Sequence, residues 1–287
     1  MCELCRRSFI RGFAALGAAS AFPSRLFAQA QRGATDAVSS TTLPARGEFI
    51  IRNGFLLTMD PALGDIPRGS VHVRNGEIVA VGADVNPGAD IIDADDMIVL
   101  PGLIETHWHM WNTLFRSFSG DEQAHGYFPT VARYGAVMTP EDMYQGARLS
   151  ASEAIYSGMT TVHDWCHNIR GRDYAERDIQ ALKDTGIRAR FSYGWAQGHD
   201  DKEILKIADI EALHRNWKDY SNEGLITLGL GWRGKFRAGP LPENVYGPEL
   251  EAARGMSIPV TVHIQSRKNP PNQIEAHAKE NLLGKDV

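Results

Sequence analysis

The sequence predicts an α/β chain: a small β-sandwich followed by the first five units of a TIM-type (β/α)8 barrel. Three observations carry that reading. Residues 48–102 hold only strand-length apolar or alternating runs, with no helical period competing. From residue 103 onward, strand-like runs alternate with helix-length amphipathic ones five times over, the pattern of parallel strands joined by helical crossovers. The two regions meet at Pro101-Gly102, a turn signal that separates one apolar run from the next.

The first element, residues 1–30, stands outside the predicted fold. "RRSFIRGFAALGAASAF" places the pair Arg6-Arg7 before a short run of small apolar residues, and Ala28-Gln29-Ala30 follows as an A-x-A cleavage site. The run is too short to span a bilayer. The pattern is that of a twin-arginine signal peptide, so the export machinery is an expected partner and a periplasmic or secreted location is expected. Residues 31–47, "QRGATDAVSSTTLPARG", read as a linker rich in Ser, Thr, Gly and Pro.

Residues 48–102 contain "EFIIRNGFLLTM", "GSVHVRNGEIVAVG" and "DIIDADDMIVLPG", with Asn53-Gly54 and Asn75-Gly76 as hairpin turns. Residues 103–287 then read as strand "GLIETHWH", a helix with Thr139 as N-cap and Pro140 in its first turn, strand "MTTVHDW", and helix "DYAERDIQALKDTG" ended by Gly186. Strand "IRARFSYG", helix "DKEILKIADIEALHRNWKDY", strand "LITLGLGW", helix "ENVYGPELEAARGM", strand "IPVTVHI" and helix "NQIEAHAKENLLG" complete the series. Five units at about 37 residues each fall short of the about 250 residues of a closed eight-unit barrel. The sequence is therefore expected to be a fragment, with Lys285-Asp286-Val287 at the entry to a sixth strand.

Bulk composition narrows the partners. The net charge is −5; the first thirty residues hold four arginines against Glu3, a balance of +3, which leaves −8 for the remainder. An acidic body of this kind excludes nucleic acid and an anionic membrane surface as expected partners, and no stable membrane span is predicted. Cys2 and Cys5 belong to the signal, so Cys166 stands alone and no disulfide framework is expected. A homo-oligomer is compatible with this composition.

The chemistry concentrates at "PGLIETHWHM". Alternate side chains of a strand share a face, so His107 and His109 point the same way and Trp108 turns aside. In a (β/α) barrel the catalytic groups lie at the C-terminal ends of the strands, where His107, His109 and His263 all fall. Three imidazoles converging there suit one divalent metal ion, zinc first and iron as the alternative. Asp164 and His167, after the second strand, are candidates to contact a small-molecule substrate, although an Asp there also serves as a helix cap. Trp108, Trp111 and Arg116 follow the first strand: the aromatics either line a pocket or pack on the rim, and Arg116 can meet an anion. His163 is expected to point into the barrel wall. His72, His125, His199, His214 and His277 read as surface or loop residues, and no phosphate-binding loop pattern occurs.

These residues resemble the amidohydrolase superfamily. The resemblance rests on a β domain running into "LPGLIETHWH", on "MTTVHDW" at strand two, and on a histidine ending strand five, and it covers residues 48–287. It is greatest to the branch of cytosine deaminase, guanine deaminase and the triazine hydrolases. The resemblance implies that His107, His109 and His263 are metal ligands. It also implies a strand-six histidine and a strand-eight catalytic aspartate beyond Val287, and a sandwich completed by segments after the barrel. One departure concerns the reaction. Deaminases of this branch carry His-x-x-Glu at strand five, whereas here Ser266 stands three residues after His263 and is assigned to substrate binding. A hydroxyl is a poor acid at neutral pH, which favours hydrolysis of an amide, carbamate or cyclic amide over ring deamination.

The expected function is thus metal-dependent hydrolysis of a carbon–nitrogen bond other than a peptide bond. Three alternatives stand beside it: deamination of a nitrogen heterocycle, a fragment that binds metal without activity, and a three-histidine zinc lyase of carbonic anhydrase type. The last fits poorly with the repeated β/α alternation.

Overall fold

The computed structural model describes residues 47–83, 85, 88–236, 240–264 and 272–287. The expected signal peptide and the expected linker up to residue 46 lie outside the described residues, as does Ser266. The chain divides into two compact units, Met1–Pro101 and Gly102–Val287.

In the first unit, β1 (Glu48–Leu56), β2 (Ile66–Arg74), β3 (Glu77–Gly82), β4 (Asp90–Asp93) and β5 (Ile98–Val99) make one mixed sheet. Its order is β3-β2-β1-β4, with β5 also paired to β1. The second layer that would make this a sandwich is not among the described residues. Asn75-Gly76 turns the β2–β3 hairpin with both φ angles positive (53° and 82°), as a two-residue turn demands. Asn53-Gly54 corrects the sequence expectation: it does not turn the chain. Asn53 takes φ 69° within β1, and the β1–β2 register shifts between Ile51 and Gly54, so the dipeptide forms a bulge. The Asn53 amide donates to Asp93 Oδ1 at 2.8 Å, which holds the bulge against the end of β4. His72 is likewise not a surface residue. It pairs with Ile50 across the sheet, is buried, and lies 2.8 Å from Glu48.

The second unit is built on five parallel strands in sequential order: β6 (Leu103–Trp108), β7 (Met159–Cys166), β8 (Arg188–Tyr193), β9 (Ile226–Trp232) and β10 (Val260–Val262). Helices α1 (Tyr127–Gly135) and α2 (Pro140–Tyr156) follow β6, and α3 (Arg172–Thr185) follows β7. After β8 come α4 (Ile207–Arg215) and the short α5 (Trp217–Tyr220), after β9 α6 (Glu243–Gly255), and after β10 α7 (Gln273–Lys279). This is the curled parallel arrangement of five successive (β/α) barrel units. The helix predicted over 201–220 starts only at Ile207 and breaks after Arg215: the carbonyls of Asp200 and Glu203 and the N–H of Leu205 are bonded to Arg233 and Glu249 instead of to a helical ladder. By contrast, α2 begins where expected: the Thr139 side chain accepts from Asp142 N and the Asp142 carboxylate accepts from Thr139 N, a complete capping box. Gly186 ends α3 with φ 70°, a conformation a β-carbon would penalise.

The core lies between sheet and helices. Val162, Phe191, Leu228 and Leu230 from the strands meet Ala147, Ala151, Ile179, Leu182 and Leu213 from the helices. A 3-10 turn, Met110–Phe115, carries Trp111 fully buried into this layer. Helix α2 passes directly over it at Gly146, where a β-carbon would come within 2.5 Å of the Trp111 carbonyl oxygen, so only glycine allows the approach. At the end of β9 the fully buried Arg233 pairs with Glu249 of α6 and also donates to the Asp200 carbonyl, while Glu249 accepts from Leu205 N at 2.9 Å. Both charges are satisfied, and the loop after β8 is tied to α6. His277 departs from its expected loop setting. It is buried, its ring meets Trp232, and its Nε2 accepts from Lys235 N at 3.0 Å.

Candidate metal centre

His107 and His109 stand at the end of β6 and His263 directly after β10, so both outer strands of the sheet aim imidazoles at one point. The Nε2 atoms of His107 and His109 are 3.3 Å apart, and those of His263 and His107 3.1 Å. A zinc ion bound at 2.0–2.1 Å in tetrahedral geometry holds its nitrogen ligands about 3.3 Å from one another. The spacing is that of a shared ion.

The protonation pattern agrees. Burial pushes His109 down to about 4 and His263 down to about 3, and it lowers His107 as well. Neutral rings present lone pairs. His109 Nδ1 lies 2.7 Å from the Trp165 carbonyl, which accepts only, so the proton sits on Nδ1 and Nε2 keeps its lone pair for a metal. His107 Nε2 can make an N–H···N hydrogen bond to only one of its two neighbours at a time, so the cluster keeps a lone pair that a cation would satisfy. The donor set therefore fits a single divalent ion.

Trp165 forms the base of the cluster. Its ring centroid is 4.1 Å from that of His263 and 5.4 Å from that of His109, and Trp195 stands edge-on at 4.8 Å. Sequence reasoning missed Trp165, although the period of two along "MTTVHDW" was the signal that places it inside.

That same parity corrects two expectations. His163, not Asp164, shares the inner face with Trp165. Its Nδ1 lies 3.0 Å from the Thr106 carbonyl and its Nε2 2.8 Å from Ser192 Oγ. Asp164 points into the wall instead. It is fully buried, accepts from Met110 N at 3.4 Å, and sits in a cluster with Cys166 and Asp178 of α3. Burial raises the Asp164 carboxyl to about 6 and the Asp178 carboxyl well above the ordinary range. Asp164 is thus a structural acid rather than a substrate contact.

Trp111 is also corrected. It is fully buried, and its indole N–H donates to His167 Nδ1 at 3.1 Å. That bond turns His167, 5% exposed, toward the metal cluster, its ring 4.1 Å from that of His109. The anion that Arg116 meets is Glu153 of α2, gripped at 2.9 and 2.5 Å. Arg116 nevertheless borders a cavity of about 210 Å³ with Trp108, Asn112 and Tyr127, beside the H-x-H strand.

A half-barrel of parallel strands with three converging imidazoles at its strand ends defines a class of metal-site barrel proteins. The chain belongs to the amidohydrolase family, whose profile matches residues 98–281. It is similar to the 5'-deoxyadenosine deaminase of Methanosarcina mazei, 36% identical over 225 residues covering 76% of this chain and 49% of the relative. It is also similar to the 5-methylthioadenosine/S-adenosylhomocysteine deaminase of Caldanaerobacter subterraneus subsp. tengcongensis, 29% identical over 243 residues covering 80% and 52%. Among solved structures, a triazine hydrolase from Arthrobacter aurescens shares the fold with a TM-score of 0.66 at 20% identity, over 81% of this chain and 58% of that one. The chain spans about half the length of the curated relatives it matches.

Proposed function

We propose that this protein is a metal-dependent hydrolase of small molecules, acting on carbon–nitrogen bonds other than peptide bonds. The convergence of the His107, His109 and His263 Nε2 atoms carries the proposal. These three residues would hold one divalent ion, with zinc the first candidate for an all-imidazole set. Such an ion, when bound, supplies a Lewis acid that lowers the pKa of water and polarises the carbon under attack. The chain's own residues do the rest. Trp165 packs under the cluster and fixes the His109 tautomer through its carbonyl, and the buried His167 ring packs beside His109.

Two substrate readings follow from different observations. Ser266, where the family's deaminases carry a glutamate, favours an amide, carbamate or cyclic amide. The relatives, named for deaminating 5'-deoxyadenosine and 5-methylthioadenosine or S-adenosylhomocysteine, favour a small adenosine-like molecule. The deciding experiment loads the purified protein with zinc and measures hydrolysis of both substrate sets. Turnover abolished by His109→Ala supports the proposal, and zinc-independent turnover would refute it. The twin-arginine reading of residues 1–30 adds export to the proposal. No helix among the described residues is long and apolar enough to cross a membrane.

A further inference from the structure

The H-x-H segment does not lie in a regular ladder. Glu105 pairs with Val162, but the next pair is Trp108 with Asp164, so β6 takes three steps where β7 takes two. The extra residue is a bulge, and bulges re-aim side chains by freeing a peptide from the ladder. Here the freed peptide is the one joining Thr106 to His107. Both of its polar ends are taken by side chains. The carbonyl of Thr106 lies 3.0 Å from His163 Nδ1, and the N–H of His107 donates to Glu105 Oε1 at 2.9 Å.

We propose that His163 is a positioning residue for the metal centre: by gripping the Thr106 carbonyl it fixes the peptide plane that aims His107. The inference rests on the metal reading of the three histidines. A carbonyl accepts only, so the His163 ring carries its proton on Nδ1, and Nε2 then accepts from Ser192 Oγ at 2.8 Å. Ser192 is fully buried on β8, and Gly229 of β9 packs so closely that a β-carbon there would come within 2.9 Å of Ser192 Oγ. The ring is therefore anchored on β8 and acts on β6, bridging three strands. With the peptide plane fixed, the backbone rotation preceding the His107 side chain is fixed too, and Nε2 is held at the shared point. The Trp165 carbonyl does the corresponding work for His109 from two residues along the same face of β7. Groups in this outer position around a metal typically change affinity 10–100-fold when removed.

Cobalt(II) ions added to the full chain test this directly, because four-coordinate cobalt absorbs in the visible and reports ligand geometry. Affinity is read by titration and folding of the metal-free protein by thermal unfolding. His163→Ala is expected to weaken cobalt binding at least tenfold and alter the visible bands, with little change in unfolding temperature without metal. His163→Asn, whose Nδ2 stands near the place of the imidazole Nδ1, should restore most of the affinity and the native bands. Ser192→Ala leaves the grip but loosens its anchor, so a smaller loss of about threefold is expected; it serves as the readout if H163A does not fold. Native cobalt binding in H163A, or equal losses in H163A and H163N, would overturn the positioning role. If the unaltered chain binds no cobalt, the metal reading itself falls, and this inference with it.

Discussion

The Nε2 atoms of His107 and His263 lie 3.1 Å apart, although 156 residues separate them in sequence. Burial lowers both rings, so both are neutral and each can offer its Nε2 to a metal ion. An ion held by both would join the two outer strands of the sheet. Metal should therefore act as a folding ligand. At a free zinc concentration 100 times the dissociation constant the stabilisation is about 2.7 kcal/mol. For a unit of this size that corresponds to a rise in Tm of about 5–10 °C. Calorimetry with and without chelator measures it, and His263→Ala should remove the difference. An unchanged Tm after chelation would refute the site.

Much of this arrangement is legible in the sequence, and the reasons for the rest are specific. His107 and His109 could be paired because an H-x-H at a strand end leaves two side chains on one side, and His263 because it closes a clear apolar run. The bulge at Thr106–His107 could not be read, since the lengths of both strands are unchanged by it. The parity of its neighbour β7 is not legible either: "MTTVHDW" leads to His163 in the wall and Asp164 at the mouth, the reverse of their places in the structure. Asp178 gave no warning, because one Asp in the polar pattern of α3 looks like a solvated residue until the helix is docked. Helix α1 lies in a long excursion after β6 without a capping side chain to announce it.

The Asp164–Asp178 pair makes a separate prediction about pH. Both carboxyls are fully buried, and desolvation raises Asp164 from 3.8 to about 6 and Asp178 further above its ordinary value. Because the folded pKa exceeds the unfolded one, the folded state holds more protons between them, and stability falls as pH rises through that window. The contribution is fully present below about pH 4 and is lost through about pH 6 and above. Asp178→Asn removes one titrating group and keeps the shape. The stability difference between native and variant should change between pH 4.5 and 7.5, in favour of the variant at the higher pH. Comparing the two proteins cancels the opposing histidine contribution. Parallel pH curves from urea unfolding would show that the pair does not share a proton.

Export is tested apart from catalysis. The export reading proposes that a twin-arginine receptor recognises the pair Arg6-Arg7, since the apolar run behind them is too short to span a bilayer. Changing both to Lys preserves the charge and removes the signal. The precursor should then stay in the cytoplasm, with periplasmic protein reduced at least tenfold by fractionation and immunoblot. Normal yield in the periplasm would rule the signal out.

The last prediction concerns reaction type. Ser266 follows His263 by three residues, the spacing at which the family's deaminases place a glutamate that protonates the ring. A serine hydroxyl cannot take that role at neutral pH, whereas a positioned carboxyl contributes about 10²–10⁴-fold to such a proton transfer. If the pocket accepts adenosine-like molecules, as the relatives' names indicate for them, the missing acid limits ring deamination and leaves hydrolysis of amide or carbamate C–N bonds as the faster reaction. Ser266→Glu should then raise ammonia release from 5'-deoxyadenosine at least tenfold, and slow amide or carbamate hydrolysis or leave it unchanged. The measurement is coupled ammonia detection on zinc-loaded protein, native and variant, with His109→Ala as the blank. Rapid deamination by the native protein would show that another group supplies the proton, and the substrate reading would pass to the adenosine-like class.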